Sequence, residues 1–312
     1  VRNARSVAEA AVFSAVFLVL VLLLIFVPVL GSLLTIAMPL PFIIFVARNG
    51  WKPGIFMFIV CALLATLFTG GIGFPTALIF GLGGIAAGAL IHQRKPAFAV
   101  FAAGTVAYIT GLVLFYLSSV FLFNIDPIQL IQQTLNESIS QARSMMESID
   151  QNTSNLDALA EMVTLIQYIG PVLLIGTGII LSFITQAFAH IILKRVRVDY
   201  QQFPAFRNWN FPRSLIWYYL TGSIFILIGL EEGTAMYIVV MNLFPLLELA
   251  VAIQGFTVIF YFLHAKSYPK YYGVLIIVGS ILLSTIALFL ARILGIIDLG
   301  LNLKQRIQTD TK

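Results

Sequence analysis

The stretch TIAMPLPFIIFVARNGWKPG, residues 35–54, sets two prolines inside an apolar run and then turns to Arg48, Asn49, Trp51 and Lys52. A proline in a helix interior removes a donor and clashes with the preceding turn, at about 3 kcal/mol. The stretch therefore reads as a greasy loop, as a short membrane span, or as part of a binding site. Which of these holds depends on the rest of the chain.

Of the 312 residues, 60% are hydrophobic and 10% are charged. A soluble domain carries roughly 25% charged residues and could not cover so much apolar surface. Several apolar runs exceed the ~20 residues needed to cross a hydrocarbon core. Ten-residue alternation of the β-barrel kind is absent. The expectation is an all-α integral membrane protein, a polytopic bundle of eight or nine transmembrane helices. The single cysteine, Cys61, lies in an apolar run and excludes a disulfide framework.

Apolar segments fall at 9–30, 33–48, 54–69, 73–92, 97–123, 164–193, 213–230, 234–263 and 272–294. The N-terminus and four alternate connections hold 13 of the 18 Lys and Arg residues, among them Arg48, Lys52, Arg94, Lys194, Arg213 and Lys266. The intervening connections hold Arg143 against Glu231, Glu232 and the six acids of loop 124–163. The positive-inside rule then places the N-terminus in the cytoplasm of a multi-pass plasma-membrane protein. The alternation survives only if residues 33–48 cross, so the proline stretch is expected to be a short span. Loop 124–163 carries Ile128, Ile131, Leu135, Ile139, Met146 and Ile149 at helical spacing, which predicts an extracytoplasmic amphipathic helix. The segment 296–312 reads as a polar tail.

Chemistry-bearing motifs are few. There is no P-loop and no H-E-x-x-H, so no enzyme, cofactor or metal is expected, and no nucleic-acid partner. Glu248 is the carboxylate set deep inside a span, in NLFPLLELAVAIQGF; it reads either as a proton- or cation-coupling group or as a hydrogen-bonded clasp. Gly84 and Gly88, in GLGGIAAG, permit close helix contact. Ala4, Ala8, Ala11 and Ala15 form a small-residue ridge along the first helix, suited to packing inside the bundle or to admitting a partner helix. Candidate ligand contacts toward the outer side are Thr35, Pro39, Pro41, Tyr108, Tyr116, Ser118, Ser119 and Asn124.

Residues 1–198 resemble the substrate-binding S component of energy-coupling factor (ECF) transporters. The resemblance lies in AVFSA of the first helix, MPLPFIIFVARNGWKPG, FPTALIFGLGGIAAGAL and the closing AHIILKRVR. It implies a six-helix unit that binds a small molecule and meets a transmembrane coupling subunit and two ATPases through the Ala11 and Ala15 ridge. Residues 199–295 would then form an additional three-span unit. Over its whole length the chain is similar to the YybS-like family of bacterial membrane proteins, through RNARSVAEAAVFSAVF, FPAFRNWNFP, VAIQGFTVIFYFL and LGIIDLGLNLKQRI. That family brings no substrate with it. The expected function is a transporter-like, substrate-binding subunit in the lipid bilayer. The alternatives are a membrane scaffold using the basic connection 194–213 and a secondary transporter using Glu248.

Overall fold

The computed structural model describes residues 2–148 and 153–309, and its regular structure is helical throughout. The helices are α1 (Arg2–Phe26), α2 (Pro28–Leu34), α3 (Leu40–Asn49), α4 (Trp51–Thr69), α5 (Gly73–His92), α6 (Ala97–Phe123), α7 (Pro127–Ser148) and α8 (Ser154–Arg195), followed by α9 (Leu215–Ile228), α10 (Ala235–Ala265), α11 (Lys270–Leu282), α12 (Ser284–Leu301) and α13 (Leu303–Thr309). Several are long and apolar enough to cross a bilayer, and residues 35–49, α9 and α11 are shorter apolar helices. The chain divides into two compact units, residues 1–167 with 173–203, and residues 168–172 with 204–312.

In the first unit the proline stretch runs back along α1, so that Asn49 Nδ2 donates to Glu9 Oε2 at 2.9 Å, but it does so as a broken helix and not as one continuous one. A 3-10 turn over Thr35–Ala37 separates α2 from α3. Pro39 caps α3 and Pro41 sits in its first turn, where a missing N–H breaks no helical bond. The Pro39 carbonyl still accepts from the Ile43 N–H at 3.0 Å. Ten residues give α3 a length of about 15 Å, half a hydrocarbon core. It persists because it is enclosed: every residue from Leu40 to Ala47 is buried. A helix apolar all round belongs inside a bundle.

The enclosing surface is the glycine ridge of α5. A Cβ on Gly84 would lie 2.8 Å from the Pro39 carbonyl oxygen, and one on Gly88 would lie 2.9 Å from that of Ile43. Two sequence features read separately, the proline pair and GLGGIAAG, are thus the two halves of one contact. Lipid is as apolar as these side chains, so close van der Waals packing holds α3 here, with little contribution from removing apolar surface from water. Phe17 and Val21 of α1, Met57 and Cys61 of α4, and Phe80 of α5 complete the core around Phe42 and Phe45. Gly50, at φ 87°, ends α3 in a conformation that favours glycine and turns the chain into α4.

Loop 124–163 contains the expected amphipathic helix, α7. It folds back on the start of α8 as an antiparallel hairpin: Gln132 Nε2 donates to the Val163 carbonyl at 3.2 Å, and Arg143 pairs with Asp157 at 2.5 Å. Asp157 pushes the Arg143 pKa above its ordinary value, chiefly through that hydrogen bond. Ile128, Ile139 and Met146 are half-buried, whereas Ile131 and Leu135 are exposed. Ile149 lies outside the described residues. The helix expected over 164–193 begins ten residues earlier, at Ser154.

In the second unit α9, α10 and α12 pack together, with α13 returning against α10. The expected span 272–294 is broken at Leu283 (φ −113°, ψ 46°) into α11 and α12. The supposed polar tail is also corrected. Residues 296–301 complete α12, and Asn302, left-handed at φ 50°, turns the chain so that Lys304 comes back to the unit's interior. A sequence window sees 272–294 as one apolar run because only backbone geometry marks the break at Leu283.

Candidate functional site

The second unit is organised around the crossing of α10 and α12. A Cβ on Gly255 would fall on the Ala291 carbonyl, and one on Gly295 would fall on that of Val251. Rising residue numbers in α10 meet falling numbers in α12, so the helices are antiparallel. Both glycines let the backbones touch. Around this crossing the unit gathers its polar side chains.

On one side Glu248 of α10 forms a salt bridge with Arg292 of α12. The two side chains retain 33% and 27% of their exposure, so the pair is neither dry nor fully solvated. It borders a cavity of about 310 Å³, also lined by Pro245, Ala252, Ser284 and Leu288. The 31 residues of α10 make it about 46 Å long, and Glu248 lies about 20 Å from its N-terminal end and 26 Å from the other. Opposite charges on two largely apolar helices offset part of each other's desolvation cost.

On the other side lies a hydrogen-bonded cluster. Buried Gln254 donates from Nε2 to Asp298 Oδ2 at 2.5 Å and accepts from the Phe211 N–H at 3.0 Å. The second carboxylate oxygen of Asp298 accepts from the Lys304 N–H at 3.0 Å. The Lys304 ammonium donates to the Trp209 carbonyl at 2.6 Å and to Asn210 Oδ1 at 2.9 Å. Burial pushes the Lys304 pKa below its ordinary value, and the nearby Asp298 charge offsets part of that. These groups border a second cavity, of about 240 Å³.

A third polar contact explains why residues 168–172 group with this unit. Pro171 lies inside α8, and the amide of Asn242 of α10 bonds to the turn around it. It accepts from the Val172 N–H at 2.8 Å and donates to the Tyr168 carbonyl at 2.7 Å. Both are backbone groups of the helical turn that contains Pro171, so the side chain ties that turn to α10.

The outer-side candidates of the first unit are placed differently. Tyr108 does not line a mouth: it is 1% exposed, its ring fills the space a Cβ on Gly83 would occupy, and its hydroxyl is 2.9 Å from that of Thr185. Thr35 Oγ1 donates to the Gly31 carbonyl of α2, which it caps, and Ser118 Oγ donates to the Phe115 carbonyl within α6. Ser119 is buried, Tyr116 is half-buried, and exposed Asn124 closes α6 with a left-handed turn. Pro39 and Pro41 start α3. Pro39 and Tyr108 thus meet neighbouring glycines of α5 as packing groups. Ala4, Ala8, Ala11 and Ala15 are all exposed, while Ser14, Phe17 and Val21 on the opposite face of α1 are buried.

Sequence reasoning singled out Glu248 and missed Arg292, its partner. The available signal was a lone arginine in the last apolar run, opposite in sign to a lone glutamate in the run before. It gave FPAFRNWNFP a role only in the scaffold alternative, and it left VAIQGF and LGIIDLGLNLKQRI without one. The structure joins the three: Phe211 and Asn210, Gln254, and Asp298 with Lys304 are the members of the hydrogen-bonded cluster.

Three of the four segments that carried the whole-chain resemblance therefore build this centre, and the resemblance itself is found again in comparison with known proteins. Over 315 aligned residues the chain is 27% identical to a protein of Bacillus subtilis (strain 168) described as "Uncharacterized protein YybS", covering 98% of this chain and all of that one. No solved structure matches. A family model described as "Predicted membrane protein (DUF2232)" matches residues 15–299, and the chain belongs to that family of multi-pass membrane proteins.

Proposed function

We propose that the protein is a transporter-like protein of the plasma membrane, with its N-terminus in the cytoplasm, that binds a small polar solute without chemically changing it. The observation that carries this reading is the Glu248–Arg292 pair beside the 310 Å³ cavity. Ionisable side chains on apolar membrane helices mark solute or ion pathways. Helices interrupted near their middle supply such sites in secondary transporters, and α10 carries Pro245 inside it. In this reading solute binding draws Glu248 or Arg292 away from its partner. The test is mass spectrometry of small molecules retained by the purified protein. Glu248→Gln should remain monodisperse and lose the retained solute; retention equal to that of the unmodified protein would sink the proposal.

A second reading is favoured by the exposure of Ala4, Ala8, Ala11 and Ala15 on α1. It is the ECF-type one, in which this ridge packs against helices of a transmembrane coupling subunit that brings two ATPases. Ala11→Leu with Ala15→Leu should then abolish co-purification of an ATPase. The scaffold alternative gains less support, because Trp209, Asn210 and Phe211 of the basic connection are engaged in the cluster with Gln254 and Lys304.

A further inference from the structure

The 240 Å³ cavity beside the Gln254–Asp298–Lys304 cluster uses none of the residues of the Glu248–Arg292 pair. Its charges are two cations, Arg213 and Lys304, and one anion, Asp298. The anion is already engaged. One carboxylate oxygen accepts from Gln254 and the other from the Lys304 backbone, so both already share their charge with donors, and a bound cation would face two positive neighbours.

The cations are in the opposite condition. Lys304 is 7% exposed, and among the described residues its ammonium donates to neutral acceptors, a carbonyl and an amide oxygen. An ammonium has three protons to donate, so one remains beyond these two bonds. Arg213 lines the same cavity with an exposed side chain, and its guanidinium makes no hydrogen bond or ion pair among the described residues. Its guanidinium offers a planar fork of donors that matches a phosphate or carboxylate in two-point contact. Burial also holds Lys304 below the ordinary lysine range, the signature of a cation that its surroundings do not fully compensate.

We propose that this cavity binds an anionic phosphate group, with Lys304 at its floor and Arg213 closing over it from the rim. The site is defined by charge and geometry and holds whether or not Glu248 serves transport. Two sources can present the same chemistry, a soluble phosphate compound and the phosphate of an anionic lipid.

The full chain, purified in neutral detergent, is unfolded thermally while inorganic phosphate is titrated against chloride at constant ionic strength. A ligand that binds the folded state raises the unfolding temperature in proportion to its saturation. Arg213→Gln should unfold at an unchanged temperature without phosphate and need about tenfold more phosphate for the same protection, the loss of one charge-assisted contact. In a parallel arm the protein is placed in phosphatidylglycerol and in phosphatidylcholine nanodiscs. Protection by inorganic phosphate that depends on Arg213 supports a soluble source. Protection only in phosphatidylglycerol, again dependent on Arg213, supports a lipid headgroup. Protection in neither arm, or protection of Arg213→Gln and Lys304→Gln equal to that of the unmodified chain, overturns the proposal. The Glu248→Gln variant should respond to phosphate as the unmodified chain does, which separates this test from that of the transport reading.

Discussion

Gly255 of α10 and Gly295 of α12 stand where the two helix backbones touch, each in a place that a Cβ would have to share with a carbonyl of the other helix. Neither neighbour is a side chain that could rotate away. Gly255→Ala and Gly295→Ala should each destabilise the protein by about 1–3 kcal/mol or more, the scale of overpacking a rigid core. Both Glu248–Arg292 and Gln254–Asp298 bridge this crossing, so both should loosen together. Thermal unfolding followed by tryptophan fluorescence checks this, and an unchanged unfolding temperature for both variants would show that the helices do not meet here.

Asn242 supplies one donor and one acceptor to the α8 turn that contains Pro171. Asn242→Leu removes both bonds between that turn and α10. The expected cost is about 1 kcal/mol for each bond lost. Amide hydrogen exchange at Val172 should accelerate relative to the rest of α8.

Tyr108 distinguishes packing from ligand contact in the first unit. Tyr108→Phe keeps the ring and removes the bond to Thr185, so it should cost about 1 kcal/mol and leave retained small molecules unchanged. Tyr108→Ala empties the space over Gly83 and should cost about 3–5 kcal/mol. Loss of a retained molecule in the phenylalanine variant without loss of stability would return Tyr108 to the role of a binding residue.

Lys304 fixes a sign for pH dependence. Its pKa is lower in the folded protein than the ordinary lysine value of 10.5, so between those two values the unfolded chain binds more protons. Its contribution to stability therefore rises with pH through that window and is flat below it. Lys304→Met should remove this part of the slope. Phosphate protection should instead weaken as pH rises through the same window, because the ammonium facing Asp298 and Arg213 loses its charge.

Composition and charge alternation made the helical membrane class legible, and the spacing in loop 124–163 foretold α7. The glycine ridge was legible as a packing surface, though not its partner. What joins Gly84 to Pro39 and Gly255 to Ala291 is a tertiary approach of backbones, which leaves no periodic trace in either segment. The same holds for the breaks. Leu283 carries no proline or glycine, yet α11 ends there, and Asn302 turns the chain by a left-handed conformation that asparagine tolerates without requiring. Glu248 was visible because a carboxylate in an apolar run is costly. Its partner stayed hidden for a local reason: Arg292 lies close enough to the end of an apolar run to pass for an interfacial residue.

The most direct test of the central claim separates the ion pair as a clasp from the ion pair as a working element. Glu248→Gln and Arg292→Met are compared with the charge-exchanged double variant, Glu248→Arg with Arg292→Glu, in unfolding temperature and in small molecules retained on purification. Each single variant should lose about 1–3 kcal/mol, less than a fully buried pair because both side chains keep part of their exposure. The exchanged variant should recover most of that stability and still retain no solute, since the charges facing the cavity are reversed. Recovery of both stability and retention, or full retention in either single variant, would contradict a functional role for Glu248 and Arg292 and leave the pair a structural clasp.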